Sequence, residues 1–249
     1  MPLFGEVVEP VSRALYIDES SDDEDTQEDL ATNAVKVEWK DEAPNSLNTL
    51  LLFNGKLSGD FMLKVLQGIN SKSAVLLKER LLTRSKVSKE IQIYKLSNGV
   101  YGCLCPTVDI GNSNLVLNEL LPVFKLSSQV IIVSTVPAPF YKGNDPTLDL
   151  PSAFMRILYT STFDSKDVIA PLLEPPNMVT GVPASILNWC EVFKKPGCLY
   201  ICYSDSNHLD SISAEPLVKI FSHVFQGLFD KKVLSFQSAI PAPSSNLYM

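Results

Sequence analysis

Histidine is almost missing from this chain: its 249 residues include two, His208 and His223. A metal centre built on three imidazoles is excluded, and a histidine general base has only two places to sit. His223 falls beside the apolar stripe of a predicted helix, where packing or surface exposure is its plain role. His208, in Ser206-Asn207-His208-Leu209-Asp210 after a predicted strand, is the better base, with Asp205 close by in sequence. A Gly-x-Ser-x-Gly nucleophile motif is absent, and no two acids stand at a recognisable catalytic spacing. Phosphate cradles are missing too. Asn54-Gly55-Lys56-Leu57-Ser58-Gly59 follows an apolar run but fits neither G-x-G-x-x-G nor G-x-x-x-x-G-K-[ST], and reads as a tight turn. The five cysteines form no C-x-x-C pair. Cys103 and Cys105 alternate and face one side of a strand, as do Cys198 and Cys202; with Cys190 on a helix, all read as reduced, buried thiols. The sequence itself points to no catalytic residue, metal or cofactor.

No apolar run approaches the roughly 18 residues of a membrane-spanning helix. Met1-Pro2-Leu3-Phe4-Gly5-Glu6 lacks a positive leader, so secretion is not expected and membrane insertion neither. The expected localisation is cytoplasmic, with the nucleus and the endoplasmic reticulum surface left open. Acidity is missing from most of the chain despite a net charge of -7. Residues 1–42 hold thirteen of the 28 acids, six of them in Asp18-Glu19 and Asp22-Asp23-Glu24-Asp25, against Arg13, Lys36 and Lys40. The remainder carries fifteen acids and eighteen basic residues. That is too even for a nucleic-acid patch. Residues 17–33 have few large apolar groups to bury and are expected to be disordered. Ser20 and Ser21 each have an acid three residues on, as acidic-directed kinases favour; a solvated tail is the plain alternative.

From Leu47 the texture changes. Thr49–Phe53 reads as a buried strand ending at Asn54-Gly55, followed by a short helix through Phe61, Leu63, Val65, Leu66 and Ile69. Glu90–Leu96 alternates, breaks at Ser97-Asn98-Gly99 and resumes over Val100–Cys105, which predicts a β-hairpin. Leu117, Leu120, Leu121 and Phe124 have helical spacing, and Gln129–Ser134 is an apolar central strand. A helix is predicted over Ala153–Tyr159, between proline-rich loops. Pro183 suits the first turn of the next helix, with Ile186, Leu187, Cys190 and Phe193 on one face. Gly197–Tyr203 is another buried strand. Ser213 is the predicted cap of the last helix, with Pro216 in its first turn and a stripe from Leu217 to Leu228. Strands alternating with helices, plus a hairpin, predict a layered α/β domain with a mixed central sheet.

The chain ends Ser244-Ser245-Asn246-Leu247-Tyr248-Met249: a hydrophobic residue, a tyrosine, then one residue carrying the carboxylate. Pro241, Pro243 and the serines make a tether, and the stretch from Phe236 to Met249 extends to ~45 Å at most. Leu247 and Tyr248 offer apolar anchoring, the hydroxyl needs a polar partner, and the carboxylate suits a lysine. A frayed end is the alternative.

The sequence resembles the eukaryotic proteasome assembly chaperone 1 family. The likeness lies in Phe4-Gly5-Glu6-Val7-Val8 with the acidic segment after it, Leu150-Pro151-Ser152-Ala153-Phe154-Met155-Arg156, and Pro171-Leu172-Leu173-Glu174-Pro175-Pro176-Asn177. It continues in Val182-Pro183-Ala184, Leu199-Tyr200-Ile201-Cys202-Tyr203-Ser204-Asp205 and Ser245-Asn246-Leu247-Tyr248-Met249; residues 45–140 match by element order. The resemblance implies a phosphorylase-like α/β fold and a non-enzymatic chaperone, heterodimeric with proteasome assembly chaperone 2. The pair would bind proteasome α subunits, promote 20S α-ring formation and discourage off-pathway ring dimers. It implies further that Leu247, Tyr248 and Met249 form a hydrophobic-Tyr-X (HbYX) motif, which enters a pocket between α subunits where a lysine meets the carboxylate. No cofactor is implied.

The expected organisation is an acidic segment over 1–45, an α/β chaperone domain over 46–235 and a flexible tail over 236–249. Two other readings stay open. One is an adaptor that binds through its acidic N-terminal segment; the other is a hydrolase or phosphorylase-like enzyme on the same scaffold, using His208 and Asp205.

Overall fold

Thr49–Phe53 forms the middle of the first strand, β1 (Leu47–Asn54), where Leu50, Leu51 and Leu52 are all at 0% exposure. Consecutive buried residues on a strand require cover on both faces of the sheet. A computed structural model describes residues 44–68, 76–79, 91–97, 99–105, 108–143 and 150–225 of the chain. After β1 come α1 (Lys56–Gly68), β2 (Leu76–Glu79), β3 (Ile91–Ser97), β4 (Val100–Cys105), α2 (Ser113–Leu126) and β5 (Ser127–Pro137). The remainder is β6 (Ala153–Tyr159), α3 (Gly181–Val192), β7 (Gly197–Ser204) and α4 (Ser211–Phe225).

The strands make one sheet in the order β2-β3-β4-β1-β5-β7-β6. β4, β1, β5 and β7 run parallel, while β2, β3 and β6 add antiparallel pairings at the two sides. Sheet alternation sorts the core into two layers. Leu50, Leu52, Val130, Ile132 and Leu199 pack under α2 and α3 through Val116, Leu120, Phe124 and Ile186. Leu51, Phe53, Ile131, Val133 and Tyr200 pack under α1 and α4 through Phe61, Val65, Leu217 and Phe221. Each such large side chain contributes about 1.5–3 kcal/mol by leaving water. The mixed α/β sheet is the predicted class.

The hairpin forms as the alternation requires, β3 pairing antiparallel with β4. Its turn residue Gly99 has φ 78°, a left-handed conformation that glycine adopts without a Cβ penalty. Asn98 lies outside the described residues. All five cysteines are buried and free. Cys103 and Cys105 share one core layer, and Cys198 and Cys202 share the other. Burial pushes the thiols of Cys105 and Cys202 up to about 12. No described helix is long and apolar enough to cross a membrane.

Two expectations are corrected. Ala153–Tyr159 is a strand, β6, antiparallel to β7 with Phe154 opposite Tyr203 and Arg156 opposite Ile201. Alternation decides the matter. Phe154 and Leu158 join one core layer, while Met155, Ile157 and Tyr159 join the other, a division that a helix cannot produce. The last helix begins a turn before Ser213, and Asp210 closes it. Asp210 Oδ1 accepts the Ser213 N–H at 2.7 Å, and Ser213 Oγ accepts the Asp210 N–H at 2.9 Å. The carboxylate ahead of the helix satisfies a first-turn amide, so Ser213 serves as the returning half of a capping box. Pro216 then sits inside the helix rather than in its first turn.

Candidate functional site

His208 and Asp205 do not assemble into a relay. His208 is exposed, and it is its backbone that is engaged: its N–H donates to Ser206 Oγ at 3.1 Å. Its carbonyl accepts from Ser206 Oγ at 2.8 Å and Ser213 Oγ at 3.0 Å. Asp205 is exposed and gives its N–H to the Ser152 carbonyl at 3.0 Å. The stretch is a hydrogen-bonded loop leading into α4. Among the described residues, no group of three or more His, Cys, Asp or Glu side chains is placed to hold a metal.

The strands instead assemble a polar and aromatic corner near the carboxyl end of β7. Arg156, on β6, donates from Nε to Glu174 Oε2 at 3.1 Å, from Nη2 to Tyr141 Oη at 3.0 Å and from Nη1 to the Met155 carbonyl at 3.1 Å. The Tyr141 hydroxyl donates to Glu174 Oε1. The guanidinium carbon stands 5.1 Å from the ring centroids of both Tyr141 and Phe154. The Tyr141, Phe154 and Tyr203 rings pack on one another at 5.0–5.1 Å. An arginine in an apolar strand is costly unless paired, and its flat, delocalised cation suits aromatic stacking and a carboxylate at once. The side chains of Arg156 and Glu174 are 13% and 28% exposed. Burial holds the Arg156 guanidinium below its ordinary value, and burial with the nearby Glu174 charge raises Tyr203.

Asn177 extends this corner. Its Oδ1 accepts the Lys142 N–H at 2.8 Å, and its Nδ2 donates to the carbonyls of Lys142 and Glu174, each at 2.9 Å. Residues 138–142 and 171–177 are thereby tied to each other beside β6, with Phe140 and Met178 at 70% and 86% exposure. Three of the stretches that carry the family resemblance meet here: Leu150–Arg156 supplies Arg156, Pro171–Asn177 supplies Glu174 and Asn177, and Leu199–Asp205 supplies Tyr203. Sequence reasoning gave none of these residues a role. The available signal was the lone arginine in an otherwise apolar segment.

Beside the corner, the carboxyl ends of β1, β5 and β7 open into a cavity of 440 Å³. The chain leaves β1 toward β4 and leaves β5 toward β7, so this is the switch point of the parallel strands, where open α/β sheets form crevices. Gly55, on its wall, has φ 101°, and a Cβ there would stand 2.5 Å from Thr135 Oγ1. The tight-turn reading of Asn54-Gly55 therefore holds. Leu247, Tyr248 and Met249 lie outside the described residues, as do the acidic segment and Ser20 and Ser21.

A family model described as Proteasome assembly chaperone 4 matches residues 120–241. Proteasome assembly chaperone 1 of Xenopus tropicalis is 39% identical over 98 residues, covering 39% of this chain and 34% of that protein. The Homo sapiens protein of the same name is 40% identical over 94 residues, covering 38% and 32%. The chain thus matches about a third of the length of these relatives. PbaA of Pyrococcus furiosus, an archaeal homolog of proteasome-assembly chaperone, aligns with a TM-score of 0.52 at 11% identity, covering 77% of this chain and 88% of that one. That likeness concerns the mixed α/β fold. By sequence, about two fifths of the chain is similar to the proteins named proteasome assembly chaperone 1.

Proposed function

We propose that this chain is a non-enzymatic chaperone of proteasome assembly. It works as a heterodimer with proteasome assembly chaperone 2, binds 20S α subunits, promotes α-ring formation and blocks off-pathway ring dimers in the cytoplasm. The observation that carries the reading is the identity of about 40% to proteins named proteasome assembly chaperone 1. The surface is compatible with holding partners. Beyond Phe140 and Met178, Val192 and Phe193 at the end of α3 are 63% and 64% exposed, apolar area that a partner would cover.

Anchoring falls to the chain end. Leu247 fills an apolar pocket between adjacent α subunits, the Tyr248 hydroxyl takes a polar partner beside it, and the Met249 carboxylate pairs with a lysine. A folded body that docks weakly and a tethered end that docks specifically gain affinity together through effective concentration. Capture of the full-length chain from cells, followed by mass spectrometry, tests the proposal. Chaperone 2 and α subunits are the expected partners; recovery of neither with a folded chain contradicts it. Loss of all partners on deleting residues 1–42 favours the adaptor reading instead.

A further inference from the structure

We propose that the cavity at the carboxyl ends of β1, β5 and β7 binds a small organic anion, one with an apolar body and a phosphate or carboxylate group. Strand register sets Asn54, Ser134 and Ile201 in one row across the three parallel strands, and this row lies along the cavity. Ser134 is 5% exposed, and its hydroxyl makes no hydrogen bond to another described residue. It shares the sheet face of Val130 and Ile132, the face on which Tyr203 also packs beside the cavity. Ser134 lines the cavity, so a polar ligand group placed there can pair with its hydroxyl. The cavity is where that group enters.

Charge selects the class of ligand. Lys142 stands on the cavity wall, and an adjoining cavity of 240 Å³, sharing Gly55, Thr135 and Val136, adds Lys56. Among the described residues, no carboxylate lines either space. The acids nearest in sequence are Glu174, held by Arg156 and Tyr141, and Asp205, exposed beyond Ser204. The first turns of α1 and α3 reach the two cavities through Lys56 and Thr180, and Thr180 caps α3 with no side-chain hydrogen bond. Helix-start amides add to the preference for negative charge. Val136, Val179 and Pro183 supply the apolar wall. The volume falls within the range of small-ligand sites, roughly 300–1,000 Å³.

Phenyl phosphate is the probe, with inorganic phosphate and phenol as its separate halves, each titrated into the isotope-labelled full chain and followed by NMR. Phenyl phosphate is expected to saturate with a dissociation constant on the order of millimolar, shifting the amides of Gly55, Ser134 and Thr180. Each half is expected to bind at least about tenfold more weakly. Lys142→Ala, at an exposed side chain, is expected to weaken phenyl phosphate about tenfold. Ser134→Ala is expected to weaken it as well, without lowering the thermal midpoint, because the hydroxyl it removes makes no hydrogen bond among the described residues. Failure of phenyl phosphate to saturate, phenol binding as well as phenyl phosphate, or either variant binding as tightly as the original overturns the proposal. The readout is independent of proteasome subunits, so it succeeds or fails separately from the chaperone reading.

Discussion

Lys195 Nζ donates to the carbonyl of Phe124 at 2.7 Å, bridging 71 residues of sequence, and also to the carbonyl of Ser127. The ammonium thus closes the carboxyl end of α2, where orphan carbonyls and the helix dipole both favour a cation. With the Val130 N–H bond to the Pro196 carbonyl at 3.0 Å, this side chain fastens the turn after α3 to the start of β5.

Lys195→Met keeps the aliphatic stem and removes the charge, so the Ser127 carbonyl loses this donor and the Phe124 carbonyl keeps only those of Ser127, its hydroxyl and its N–H. The expected loss is about 1–3 kcal/mol. It should appear as a lower urea midpoint with an unchanged slope.

Arg156→Lys retains the charge of the corner but loses the planar fork that reaches Glu174, Tyr141 and the Met155 carbonyl together. A cost of about 1–3 kcal/mol is expected, because lysine cannot replace those directed bonds or the stacking on Tyr141 and Phe154. Hydrogen exchange should rise over residues 174–177, beyond the backbone bonds of Pro171 and Leu173 to Ile157 that hold the segment's start to β6. Unchanged exchange there would show that the ion pair does not hold this segment.

The elements that could be read from sequence are those whose signal is local. β1, β5 and β7 appear as apolar runs because both their faces are covered, and the β3–β4 hairpin shows its period and its turn. β6 reads as a helix from sequence because Ala153, Met155, Arg156 and Leu158 are good helix formers, while the pairing with β7 that makes them a strand is tertiary. Asp210 does not stand out in the sequence as the cap of α4 because Ser213, three residues later, has equal cap chemistry. The site was less legible than the fold. Arg156 and Glu174 are 18 residues apart, and the row of Asn54, Ser134 and Ile201 exists only through strand register.

Acid should destabilise the domain partly through Glu191. Its carboxylate accepts the Ser161 N–H at 2.7 Å, the Ser161 hydroxyl at 2.8 Å and the Lys194 ammonium at 2.9 Å. The Ser161 amide foremost, then Lys194, draw its pKa from the ordinary 4.5 to about 2. Asp210 is lowered too, chiefly by the Ser213 amide. A carboxyl depressed in the folded state adds stability that is complete above its ordinary pKa and is lost as pH falls through the folded one. Glu191→Gln should therefore flatten the decline of unfolding free energy between pH 4.5 and about 2. A decline as steep as in the original would contradict the assignment.

At the chain end, Tyr248→Ala and a short glycine–serine extension after Met249 should weaken binding to α subunits to a similar degree, on the order of 2–5 kcal/mol of local interaction. The heterodimer should survive both changes. Competition at elevated salt separates tail binding from contacts of the body. An extended protein that binds as tightly as the original while Tyr248→Ala does not would rule out the carboxylate–lysine pairing.

The most direct measurement of the chaperone proposal is assembly itself. Purified proteasome α subunits are incubated with and without the full-length chain and chaperone 2, and the products are resolved by native mass spectrometry. The proposal predicts a complex containing the chain and α subunits, a higher yield of single α-rings and fewer ring dimers. Equal yields of rings and ring dimers, with the folded chain bound to no α subunit, would contradict it.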